Sequence, residues 1–151
     1  MQKDELIHTL NLFYNLELQQ VDLYTAQSHV VDDLYLSKTL ARIAYHEQQH
    51  VDIIAEEIKK LGGQPNVIVD YIAPLVGKAA GAFSSVLGIE KMLKINIFLE
   101  EKAMKDYKDL ILKSGNNSRL FEILWNNLID EDLHAAWLAS KLRELEGKNR
   151  S

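Results

Sequence analysis

Cysteine is absent from the 151-residue chain. That excludes disulfides, iron–sulfur clusters and a built-in rubredoxin-type iron centre, and it suits an intracellular chain without requiring one. Glycine and proline are scarce, at seven and two, so few positions can break a helix. No apolar run approaches the roughly 18 residues that a membrane span needs. Positive charge is in the minority, and the net charge of -5 offers no basic face for nucleic acid, which is not an expected partner. The opening MQKDELIH has no basic flank followed by an apolar run. No signal peptide is therefore expected, and the expected location is the cytoplasm.

What the chain has instead is long helical periodicity. Its length suits one domain, 1–151, with a real core. Leu6, Leu10, Phe13, Leu16, Val21 and Tyr24 recur at spacings near three and four, which predicts a helix over about 4–31. Asp32 or Asp33 is the expected N-cap of a second helix, about 34–61, closed by Lys59, Lys60 and Gly62. Further helices are expected at about 88–113 and 119–146. The segment between the pairs, about 66–87, is apolar and rich in small residues, with only Asp70 and Lys78 charged. The pattern predicts an all-α bundle of two antiparallel helix pairs joined by this crossover. The crossover reads either as a lid on the core or, over 66–88, as an apolar surface for a membrane or partner chain.

The two pairs repeat one another. Glu17 is followed by Tyr24, then Glu47 and His50; Glu100 is followed by Tyr107, then Glu131 and His134. The Glu17–Glu47 interval is 30 residues and the Glu100–Glu131 interval 31. Each Glu-x-x-His lies on one helix face because three residues turn a helix through about 300°. Glu17 and Glu100 interrupt apolar stripes, and burying four carboxylates without partners costs several kcal/mol each or forces protonation. Two divalent cations would neutralise four carboxylates. One Glu from each of two helices plus Glu-x-x-His from the other two is the ligand set of di-iron and di-manganese carboxylate proteins. Oxygen-rich ligation with one imidazole per ion favours iron or manganese over zinc.

His46, Glu47 and His50 also spell the zinc-protease pattern, but that reading leaves Glu17, Glu100, Glu131 and His134 without a role. His46 and Asp130 occupy matching places, each one residue before its Glu. They are assigned as neighbours that orient ligand imidazoles, Asp130 toward His50 and His46 toward His134; an exposed helix position is the other reading of His46. Tyr24 and Tyr107 read as core aromatics or as redox groups. Trp125 and Trp137 read as core or interface packing, and His8 and His29 fall outside the repeat.

On these residues the chain resembles the ferritin-like di-iron superfamily and, more narrowly, the demethoxyubiquinone hydroxylase family. The likeness runs through Glu17, Tyr24 and Gln27, EQQH at 47–50, APLVGKAAGAFSSVLG in the crossover, LEEKAMKDY at 99–107 and DEDLH at 130–134. The chain departs from that family at LFYNLE, where a basic residue and a His-Ala-Gly run usually precede the first Glu. It departs again at Asp106, where the family usually has His.

The resemblance implies oxygen-dependent hydroxylation of a quinone-like or other apolar small molecule by two iron ions, manganese being the alternative. Glu17, Glu47 and His50 would hold one ion and Glu100, Glu131 and His134 the other, with Glu47 and Glu131 bridging. Dioxygen, a separate electron donor and the inner face of the membrane are the implied partners, with a homo-oligomer a further option. A rubrerythrin- or ferritin-like ferroxidase or peroxide scavenger would use the same six ligands. A metal-stabilised membrane- or partner-binding module is a third expectation.

Overall fold

The computed structural model describes residues 1–67, 88–115 and 117–148. Among these, the regular elements are four helices: α1 (Lys3–Val30), α2 (Leu34–Lys60), α3 (Gly88–Lys113) and α4 (Ser118–Lys148). Helices α1 and α2 pack on one another as one compact hairpin, and α3 and α4 as another. The crossover expected at 66–87 lies, from residue 68 onward, outside the described residues.

Every helix buries one stripe with a four-three rhythm. In α1 it is Leu6, Leu10, Phe13, Glu17, Gln20, Tyr24 and Gln27; in α2, Leu36, Leu40, Ile43, Glu47, His50, Ile54 and Glu57. Buried positions in α3 are Leu93, Asn96, Glu100, Tyr107 and Leu110, and in α4 they are Leu120, Leu124, Asn127, Glu131, His134, Leu138 and Lys141. Alternating spacings of four and three keep such residues on one side of a helix, the pattern of side chains that interlock between neighbouring helices. The polar residues of the site therefore sit in the same stripe as the leucines.

The helix ends follow from short-range chemistry. Asp33, rather than Asp32, caps α2 by accepting a hydrogen bond from the Leu36 N–H at 2.7 Å. At the other end the Gly63 N–H donates to the Ile58 carbonyl and the Gly62 N–H to the Lys59 carbonyl, each at 2.9 Å. This Schellman closure places Gly62 at φ 81°, where a side chain would be strained. Helix α4 is capped by Asn117, whose Oδ1 accepts from the Leu120 N–H at 3.1 Å. After α2, an asparagine clasp seats the chain on α1. Asn15 Nδ2 donates to the Asn66 carbonyl at 2.8 Å and the Asn66 N–H donates to Asn11 Oδ1 at 2.8 Å.

Candidate metal centre

Within the α1–α2 hairpin, Glu17 comes from the middle of α1, and Glu47 and His50 from adjacent turns of α2. All three are buried, Glu47 completely. His50 Nδ1 lies 3.1 Å from Glu47 Oε2 and 3.6 Å from Glu17 Oε2. The α3–α4 hairpin repeats this with Glu100, Glu131 and His134, again buried, and His134 Nδ1 lies 3.5 Å from Glu100 Oε2. In each hairpin the three side chains offer ligand atoms within 4.8 Å of one another. The six ligands expected from the sequence are thus gathered as two matching triads.

These separations carry chemical information. Two donors each about 2.1 Å from one ion, at tetrahedral to octahedral angles, lie roughly 3.0–3.4 Å apart. The observed 3.1 Å lies within that range, and 3.5 and 3.6 Å lie just above it. A triad of two carboxylates and one neutral imidazole carries two negative charges in a core with little water, where they repel and lose solvation. A divalent cation cancels them, and the donor set of carboxylate oxygens with one imidazole suits iron or manganese. The donor chemistry therefore fits the ion that the spacing implies.

The other expected residues take varied places. Tyr24 and Tyr107 are fully buried, in line with core aromatics, and Tyr107 Oη accepts a hydrogen bond from Asn127 Nδ2 at 3.1 Å. His46 and Asp130 are half-buried, and the His46 ring lies 6.2 Å from that of Tyr45. Among the described residues no ligand group includes His46, so the zinc-protease pattern does not assemble around it. His8 and His29 are exposed. Trp125 is 47% exposed, which excludes it from the core of this chain. Sequence reasoning passed over Gln20, whose Nε2 donates to Glu47 Oε1 at 3.4 Å, and also Asn127. Their signal was position, since both stand on the same buried stripes as the expected ligands.

The profile of the ferritin-like domain matches residues 7–147. Among solved structures, the chain is similar to a dodecameric thioferritin, the bacterioferritin-related protein of Bacteroides fragilis. The TM-score is 0.83 and the identity 20%, over 99% of this chain and 91% of that one. It is also similar to the bacterioferritin of Desulfovibrio desulfuricans, described with its diiron site in different catalytic states. There the TM-score is 0.77 and the identity 18%, over 96% and 82% of the two chains. The Rhodobacter capsulatus bacterioferritin, described with a metal-free dinuclear site, matches with a TM-score of 0.79 and 20% identity, over 95% and 86%. No curated protein matches by sequence. Likeness over nearly the whole chain makes the fold a four-helix bundle of the bacterioferritin kind.

Proposed function

We propose, from the premise that this chain belongs to the ferritin-like domain family, that it is a ferroxidase whose two buried triads form one dinuclear centre. The observation that carries this reading is the doubled triad, with each imidazole Nδ1 set 3.1–3.6 Å from carboxylate oxygens. Glu17, Glu47 and His50 would hold one Fe(II), and Glu100, Glu131 and His134 the other. Fe(II) is then the substrate, and dioxygen or hydrogen peroxide the electron acceptor. Two Fe(II) give up two electrons, which with two protons convert dioxygen to hydrogen peroxide, or hydrogen peroxide to water.

The chain's own groups do specific work in this scheme. Ligation through Nδ1 leaves the imidazole proton on Nε2, where a neighbouring acceptor can fix the ring. Asp130 is assigned that task for His50, and His46 the matching place for His134. Four carboxylates match two Fe(II) in charge and favour Fe(III), the harder and more highly charged product, so oxidation is downhill at the site. The apolar parts of the four stripes keep water scarce around the ligands. Tyr24 and Tyr107, each one heptad from its Glu, serve to pack and orient the stripe.

The bacterioferritin likeness supports iron oxidation ahead of the hydroxylation implied by the narrower sequence resemblance. Hydroxylation would also need an apolar acceptor, and the crossover that suggested one falls largely outside the described residues. No described helix is long and apolar enough to cross a membrane. The dodecameric relative supports self-association of this chain as well. The test is to add oxygen to the protein loaded anaerobically with Fe(II), with no organic acceptor present. Stoichiometric Fe(III) formation with oxygen uptake supports a ferroxidase. Incorporation of an oxygen atom from labelled dioxygen into an added quinone-like ring, with no net Fe(III) accumulating, would replace it with a hydroxylase.

A further inference from the structure

Of the two readings of Trp125, core or interface, its exposure leaves the interface. It does not stand alone. Phe121, Trp125, Ile129 and Leu133 follow one another at steps of four along α4, and all four are exposed, Phe121 by 44% and Leu133 by 61%. Each step of four turns about 40° further round the helix, so the side chains form one slanting ridge about 18 Å long. Phe121 and Trp125 are stacked on one another, with 6.0 Å between ring centroids and 10° between ring planes. With each side chain about half exposed, the ridge offers roughly 400 Å² of apolar surface, a patch of a size that commonly marks a contact.

We infer that this outward face of α4 is an interface with a second copy of the chain, the two ridges packing about a two-fold axis level with the Trp125–Ile129 step. A ridge built on steps of four fits the groove beside an identical ridge when the helices cross at about 50°, so the face is complementary to itself. In a two-fold contact both partners use the same patch, and the assembly closes without a further surface. The area suits it. Two ridges supply about 800 Å² of apolar surface, and at the roughly 65% apolar share of homodimer contacts the whole interface reaches about 1,200 Å², where stable ones begin. The stacked aromatic pair is already ordered, so little freedom is lost when it is covered. A bilayer is the poorer occupant, because apolar faces that lie on membranes are edged with Lys and Arg. The charged residues exposed along this ridge are Arg119, Glu122 and Asp132, two of the three acidic. The inferred face deepens the self-association proposed above by naming where it occurs. None of the six expected metal ligands lies in the ridge, so the contact and the metal chemistry can fail separately.

The test is sedimentation of the full-length protein over a wide range of concentration, as wild type, Trp125→Glu and Ile129→Glu. Circular dichroism shows that each variant is folded, since both changes fall on exposed positions. The expected result is a concentration-dependent assembly in wild type that both variants weaken by about 30-fold or more, the size of effect for an anchor at the centre of an interface. A second readout watches the face itself. Trp137→Phe leaves Trp125 as the sole indole, and acrylamide should quench it several-fold less in the assembly than in the dilute chain. Both variants sedimenting like wild type, or an indole quenched equally in the assembly and the dilute chain, would overturn this face while leaving self-association standing. Wild type that is monomeric at every concentration would overturn self-association and the face together. Shielding of Trp125 by neutral phosphatidylcholine vesicles, with none on self-association, would overturn the second copy in favour of a lipid surface.

Discussion

Asn127 stands in α4 where the matching residue of α2 is Ile43, and its amide donates to Tyr107 Oη in the α3–α4 core. The hydrogen bond fixes a large ring one heptad from Glu100. Replacing Asn127 by Leu removes the donor while keeping the volume, so the Tyr107 hydroxyl loses it in a place closed to water. We expect about 1–3 kcal/mol of lost stability by urea denaturation, partly restored by adding Tyr107→Phe. Equal stability of the single variant and wild type would show that this hydrogen bond has little weight. Neither Gln20 nor Asn127 was legible from the sequence as functional. A polar residue on a core stripe acquires a meaning only when the atom across from it is known, and that atom lies on another helix. The six proposed ligands stood out in the sequence because they come in pairs at matched spacing, and the repeat itself supplied the missing context.

At the scale of the elements, helix ends decide where the triads sit along the stripes. A methyl group at Gly63 would lie 2.7 Å from Ile7 Cγ2 and 3.1 Å from Ile58 Cγ2, so α1 and the end of α2 meet there with no room for a side chain. Gly63→Ala is expected to cost about 1–3 kcal/mol, since branched Ile7 and Ile58 move only by disturbing their neighbours. An unchanged urea midpoint would mean that the chain after α2 shifts freely. Loss of the Asp33 cap in Asp33→Ala is expected to cost about 1 kcal/mol, read in the same way. The periodicity that placed the helices also placed their ends to within a turn, because glycine, asparagine and aspartate act locally. The tight approach at Gly63 was not legible, since it depends on Ile7 some fifty residues earlier.

For the whole molecule, the sequence showed the superfamily more clearly than the reaction. Glu17, Glu47, His50, Glu100, Glu131 and His134, as the proposed ligands, are of the kind that a dinuclear centre of any activity needs, so they speak for a metal and not for the acceptor. The apolar segment and LEEKAMKDY drew the reading toward quinone hydroxylases, whereas the fold as a whole lies with bacterioferritins. The buried charge has a global consequence. Under the proposed reading, removing the ions would leave like charges close together in the core, and stability would fall. Chelated, metal-free protein should melt at a lower temperature than the metal-loaded protein at neutral pH. Identical melting curves in protein shown to have lost its metal would place the carboxylates in contact with water.

The central claim is that two Glu-Glu-His triads bind two ions as one centre. Metal stoichiometry after anaerobic Fe(II) loading, measured for wild type and Glu100→Ala and followed by exposure to oxygen, tests it most directly. The account predicts two iron ions per wild-type chain, fewer in the variant, and ferric absorption that grows on oxidation in wild type far more than in Glu100→Ala. A single tightly held ion, indifferent to Glu100→Ala, would contradict it.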